Sequence, residues 1–302
     1  MQSQRADYGR GQHVLDIHLV DGQELAEKLR AAFSSAHYRP PVLPAVALKV
    51  HELTRSADVT IEAVCEVLET DALLSAGVLR LCESAQFARG APVRSLEQAA
   101  MRIGLRSLRD HVFRVAMEST VFRAERFKGV MAELRDHSLL VGAIARKAMA
   151  RTAHSDEYAF LAGILHDVGL AGSLLILADD ERKTGETIDL TLAAPAIESI
   201  HEEVGETIAT LWKLPPELRW VVGAHHYGEI QGYAHPVACA LVMAEAVLDA
   251  LGHHLRLGEV HVDGPKPAAV RRARETLSFG DAEVRALVEY AAGQIEALGG
   301  GA

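Results

Sequence analysis

The stretch Leu161-Ala-Gly-Ile-Leu-His166-Asp167-Val-Gly169 decides how this chain is read. It opens an apolar run of helical length, Leu161 to Ala178, yet carries an adjacent histidine and aspartate within its first turns. Two polar heads desolvated together on a hydrophobic helix are costly, and a divalent cation that neutralises them offsets that cost. An imidazole nitrogen and a carboxylate oxygen on successive residues can both reach one cation, or bridge two. The pair fits equally a helix end where both side chains bond backbone near Gly169. Because it interrupts the longest apolar run, no membrane span is expected.

Outward from this point the periodicity is helical. Downstream, helices are expected over roughly 132–152, 156–178, 195–213, 216–226, 235–251 and 281–298, with loops at 185–191 and 258–267. Upstream, Asp21-Gly22-Gln23-Glu24 resembles a capping box ahead of Leu25, Leu29 and Ala32. Thr60 and Asp71 can cap helices at 61–68 and 72–82, and 96–103 and 105–122 read as two more. Only Val14–Val20 and Glu259–Val262 alternate enough for strands, which are expected to pair. The fold class is therefore all-α: an N-terminal extension (1–20), an N-terminal helical subdomain (21–125) and a C-terminal helical subdomain (126–302), with at most a small two-stranded β element.

The His-Asp pair has company. Glu133 and His137 lie four apart on one expected helix, hence on one face. His201, His225-His226 and Glu245 follow, each at the start, middle or end of a separate expected helix. Bundles build metal sites in this way, from side chains on facing helices. A nitrogen and oxygen donor set without thiolates suits manganese, iron, nickel or zinc, as one or two ions, rather than magnesium alone. Each histidine taken singly is also explained as a core residue with a hydrogen-bond partner, and His225-His226 as a helix terminus whose imidazoles cap carbonyls.

Composition narrows the rest. There are 31 basic and 41 acidic residues, a net charge of −10, the opposite of what a duplex-coating protein carries. Arg102, Arg106 and Arg109 recur at i, i+4 and i+7, so a phosphate-binding stripe is weighed against an ordinary solvated helix face. Cys65, Cys82 and Cys239 are three, widely spaced and in no C-x-x-C arrangement, which argues against a disulfide framework or a cysteine zinc site. The polar segment Met1–Gln12 lacks an apolar signal core, and a cytoplasmic location is expected. P-loop, dinucleotide-binding and nucleophile-elbow motifs are missing.

Several strings resemble the HDOD family. Val42-Leu-Pro-Ala-Val-Ala-Leu-Lys-Val50, Asp71 to Leu81, Cys82 to Phe87, Val93 to Ala100 and Ile103-Gly-Leu105 are similar to its N-terminal half. His137-Ser, Gly163-Ile-Leu-His-Asp-Val-Gly169, His201-Glu-Glu-Val-Gly205, Trp212-Lys-Leu-Pro215 and Ala224-His-His226 are similar to its C-terminal half. The resemblance spans roughly residues 30–255. It implies an all-α domain related to metal-dependent HD phosphohydrolases and used mostly as a regulatory module in bacterial signalling, generally without established catalysis.

The same positions also look like the cyclic-dinucleotide phosphodiesterases called HD-GYP. That likeness makes His137, His166, Asp167, His201, His225 and His226 metal ligands, adds Glu133, and places Glu245 where an aspartate is usual. Two departures weigh against catalysis. Leu170 stands where active hydrolases often place lysine, and Tyr227-Gly-Glu-Ile-Gln-Gly232-Tyr233 replaces an acidic, glycine-rich loop. The expectation is a regulatory signal-transduction protein that binds a protein partner or a nucleotide signal, with no membrane and no nucleic acid. The alternative is a metal-dependent phosphohydrolase in which Asp167 bridges the metals and carries catalysis.

Overall fold

A computed structural model describes residues 21–56, 58–84, 87–88, 93–154 and 158–299. Two compact units emerge, one formed by residues 41–121 and the other by the chain from 122 on together with the first helix.

The 41–121 unit is a bundle of α2 (Ala45–Leu53), α3 (Ile61–Leu68), α4 (Ala72–Glu83), α5 (Leu96–Ile103) and α6 (Leu105–Thr120). Its starts are fixed by side chains that take up orphan N–H groups. Thr60 accepts from Ala63 N, Asp71 from Leu73 N and Leu74 N, and Ser95 from Gln98 N. Val50, Val64, Leu68, Leu74, Val78, Leu108 and Val112 form its core. Gly104, at φ +79°, ends α5 and begins α6. Arg102 therefore lies on one helix and Arg106 and Arg109 on the next, so the expected stripe along a single helix does not exist. Arg109 is buried beside Asp110, 3.3 Å from its carboxylate, and Arg106 is exposed.

Two buried histidines make this unit acid-sensitive. Burial, then the Arg109 and Arg55 charges, lower His51 from 6.5 to about 4; burial, then Arg114, lowers His111 to about 4. Both pKa values are depressed on folding, so both rings are neutral in the fold. The stability they secure is complete above pH 6.5 and is lost as pH falls from 6.5 toward 4. At pH 5 the loss is expected to reach about 2 kcal/mol for each ring. Hydrogen exchange at α2 and α6 amides of the full chain, corrected for intrinsic rates, should show weaker protection at pH 5.0 than at pH 7.5. Equal protection at both values would dismiss the effect.

The second unit begins with α1 (Gly22–Ser34), capped by Asp21 on Glu24 N at 2.9 Å. Leu25, Leu29 and Phe33 are buried and α1 packs along α10 (Leu190–Leu211), with Arg30 bonded to Glu203 at 2.9 Å. Each such side chain buried contributes about 1.5–3 kcal/mol. Residues 21–40 thus lie with the second unit, unlike the division expected at 21–125 and 126–302.

After a 3₁₀ turn (Glu125–Phe127) come α7 (Lys128–Met149), α8 (Ala159–Leu165), α9 (Val168–Thr184), α10, α11 (Pro216–Val222), α12 (Pro236–Ala250), α13 (Pro267–Leu277) and α14 (Asp281–Gly299). α7 packs on α8 and α12, α9 on α10, and α12 on α13. The span expected as one helix over 156–178 is two, broken at His166-Asp167. By length and composition Ala159–Thr184 could cross a bilayer, its most apolar 18-residue window having a mean hydropathy of 1.9, but 83% of that window is buried inside the protein, as in a core helix. The region around 267 leads directly into α13, a helix the sequence reading did not include.

Two hairpins are the described β structure. β1 (Glu229–Ile230) pairs with β2 (Tyr233–Ala234), and β3 (Arg256–Leu257) with β4 (Val260–His261), both antiparallel. The strand expected at 259–262 therefore pairs with its immediate neighbour; Val14–Val20 lies outside the described residues. Gln231 and Gly232 both have positive φ, 53° and 81°, the geometry of a two-residue turn that matches strand twist.

Candidate metal centre

The site lies wholly within the second unit, and two close helix crossings create it. At the α7–α8 crossing a side chain on Gly163 would run into the backbone of Gly142. At the α9–α10 crossing a Cβ on Gly169 would land on the carbonyl oxygen of His201 and lie 2.9 Å from Gly205 N. Only glycines allow these approaches, and they bring His137 on α7, the His166-Asp167 break and His201 on α10 into one volume.

His137, His166, Asp167 and Glu245 form one group of ligand atoms, all four residues buried, and His201, His225 and His226 form a second. Glu245 Oε1, from α12, lies 2.8 Å from His166 Nε2 and 3.1 Å from His137 Nε2, so its longer side chain reaches both rings. Asp167 stands between the groups. Its Oδ2 is 3.1 Å from His166 Nε2 and 3.9 Å from His137 Nε2, and its Oδ1 is 3.5 Å from His225 Nε2 and 3.7 Å from His201 Nε2.

The ring orientations are set by backbone. His166 Nδ1 donates to Gly163 O at 2.7 Å, His201 Nδ1 to Glu198 O at 2.6 Å and His225 Nδ1 to Val222 O at 2.9 Å. A carbonyl only accepts, so each Nδ1 carries its proton and a neutral ring presents a bare Nε2. The Nε2 atoms of His201 and His225 face one another at 3.3 Å, and those of His201 and His226 at 3.1 Å. Lone pairs so arranged repel unless a cation or proton lies between them. His166 Nε2 is buried without an aligned hydrogen-bond partner, although two carboxylates stand within 3.1 Å. These are the features of metal-ligating imidazoles, whose second nitrogen is normally tied to carbonyl or carboxylate.

Electrostatics divide the two groups. Burial opposes charge on His166, but Asp167 and Glu245 outweigh it and hold that ring protonated well above its usual value. Burial likewise opposes ionisation of Asp167 and Glu245, and the surrounding histidines overcome it and keep both acids ionised. Burial, then the His225 charge, lowers His201 to about 4, and burial with His225 and His201 lowers His226 to about 3. Those two rings are neutral at pH 7, the state a metal requires. The residues present thus fit a divalent cation.

Glu133 is exposed and stands apart from both groups, although it is one turn from His137. Arg102, Arg106 and Arg109 belong to the 41–121 unit and not to the unit that builds the cluster. A residue the sequence reading passed over is Glu202, whose Oε1 accepts from His226 N at 3.3 Å. Its only sequence signal is that it follows His201.

Comparison with known proteins agrees on the architecture. A Marinobacter aquaeolei structure, provisionally named a signal transduction protein, aligns over 94% of this chain and 67% of its own, with a TM-score of 0.69 and 17% identity. A Shewanella amazonensis structure, provisionally named a metal-dependent phosphohydrolase, aligns over 88% and 99%, with a TM-score of 0.58 and 21% identity. An uncharacterized protein of Treponema pallidum is 23% identical in a 217-residue alignment that covers 68% of this chain; the chain spans about two fifths (41%) of that relative's length. The profile of the HDOD domain matches residues 41–227, more than half of the sequence, and the chain therefore belongs to the HDOD family.

Proposed function

We propose that this protein is a regulatory HDOD module that holds one or two divalent transition-metal ions and acts in signal transduction by binding a protein partner or a nucleotide signal. The observation that carries the reading is the convergence of six ligand side chains around a seventh, Asp167, while Leu170, one turn along α9, is fully buried. A phosphate-orienting cation at that place would have to point into an apolar core, so the centre gathers metal ligands without the lysine of active hydrolases. His137, His166, Asp167 and Glu245 would hold one ion, and His201, His225 and His226 with the far oxygen of Asp167 a second. Bound metal supplies Lewis acidity and neutralises the paired carboxylates. The chain's own residues fix the imidazole tautomers through Gly163, Glu198 and Val222 and bury all four residues of the first group.

A phosphohydrolase is the second reading, favoured by one feature. His226 is half-buried where every residue of the first group is buried, so a small molecule can approach the three-histidine side.

Elemental analysis of tag-free protein, followed by assays with bis(p-nitrophenyl) phosphate and cyclic dinucleotides in manganese and in iron, separates the readings. The expected result is one or two equivalents of transition metal with hydrolysis at background. Turnover that depends on the metal would establish the second reading. Metal-free protein that takes up neither ion anaerobically would refute both.

A further inference from the structure

The three histidines of the second group come from two elements. His201 is on α10, and His225-His226 form the turn that follows α11, a helix of seven residues with no side-chain cap. One side chain spans the gap. Glu202 follows His201 on α10, accepts the backbone N–H of His226 at 3.3 Å, and stands 3.9 Å from His225 Nδ1. The His225 Nδ1 proton is already given to Val222 O, so the carboxylate adds negative charge behind that ring without displacing the bond. One turn further along, Glu206 lies alongside Gly223, where an added Cβ would come within 2.8 Å of its carboxylate. Glu202 is thus the hydrogen-bonding link from α10 to the turn that places two Nε2 atoms beside that of His201.

We propose that Glu202 is the positioning residue of the three-histidine group, fixing the His225-His226 turn to α10 so that the three Nε2 atoms meet. This rests on the reading of the centre as metal-holding. Outer carboxylates that orient ligand histidines are worth about 10–100-fold in metal affinity. Glu202 makes none of its described hydrogen bonds or ion pairs to His137, His166 or Glu245, so the first ion should be far less affected by its loss.

The test uses full-length protein stripped of metal and titrated with cobalt(II), followed by its visible absorption, with thermal unfolding of the metal-free chain as a parallel readout. Glu202→Ala is expected to weaken one of two cobalt-binding steps by about 10–100-fold and to alter the spectrum of that step, leaving the other far less affected. Glu202→Gln keeps an oxygen that accepts from His226 N and should remain within about threefold of wild type by the same reasoning. Glu202→Ser, which leaves room for a water, substitutes for the alanine variant should that fail to fold. If both truncations bind cobalt as wild type does, the positioning role is wrong while the metal reading stands. Equal weakening by Glu202→Gln also overturns it, since charge rather than hydrogen-bonded placement would then be what matters. Wild-type protein that binds no cobalt removes both this inference and the reading beneath it.

Discussion

Glycine 169 replaced by alanine is expected to cost the chain at least about 3 kcal/mol of stability and to abolish metal uptake. The added methyl would meet the carbonyl oxygen of His201, with its carbon at 2.8 Å and Gly205 N at 2.9 Å. Those atoms are helical backbone, so no side-chain rotation relieves the clash; α9 and α10 must separate. Separation undoes the packing of Val168 and Ala171 and pulls His201 from Asp167. Ordinary overpacking costs about 1–3 kcal/mol because side chains yield, and backbone against backbone yields less. Gly129→Ala, on α7 with nothing within 4 Å of the new carbon, is the control and should change stability by no more than about 1 kcal/mol. Urea unfolding of both variants decides the matter. A loss below 1 kcal/mol at position 169 would mean that the crossing is looser than the geometry indicates.

Asp167→Asn should lower metal affinity by at least about 100-fold while preserving side-chain volume. One carboxylate oxygen faces His166 and His137, and the other faces His225 and His201. An amide offers a single oxygen, and its NH₂ points a donor where the other group needs a donor atom for metal. The two groups are therefore expected to fail together, unlike the selective failure expected at Glu202. The metal-free variant should also be less stable, by about 3–5 kcal/mol, because a buried protonated His166 loses one of its two anions. Calorimetric titration with manganese and zinc reads the first effect and urea unfolding the second. Two tight equivalents in the asparagine variant would show that Asp167 does not join the groups.

Much of this arrangement is legible in sequence because its determinants are local. Asp21, Thr60 and Asp71 cap the helices they precede, since a short acceptor one turn ahead of free N–H groups needs nothing from the rest of the chain. His137, His166, Asp167, His201, His225, His226 and Glu245 all come together; His137, His201 and Glu245 lie on the helices where periodicity puts them, whereas His166-Asp167 sit at a break and His225-His226 in a turn. What sequence periodicity could not supply was direction and local chain reversal. Glu133 shares a helix face with His137 by counting, yet four residues on a 3.6-residue repeat drift about 40°, enough to leave it outside. The arginine stripe fails at Gly104, because its i, i+4, i+7 spacing runs across the joint between the two helices expected at 96–103 and 105–122. The helix break at residues 166–167 is hidden because both flanks are apolar, and the 229–234 hairpin because Gln231 adopts positive φ without being glycine, asparagine or aspartate. Glu202 escapes notice because its role is defined by a hydrogen bond to a residue 24 positions away.

The placement of α1 bears on the order in which the molecule is made. Its apolar side, Leu25, Leu29 and Phe33, is completed by α10, which is translated only after residues 41–121, α7, α8 and α9. The 41–121 unit carries all of its own helices, α2 packing on α6 and α3 on α5, so its partners are all present once α6 has been made. A nascent chain therefore holds a finished small bundle preceded by a helix whose partner does not yet exist. During that interval the exposed stripe on α1 is a surface for chaperones or for a neighbouring nascent chain, and shortening the wait, by moving α1 to the far end of a permuted gene, would remove it.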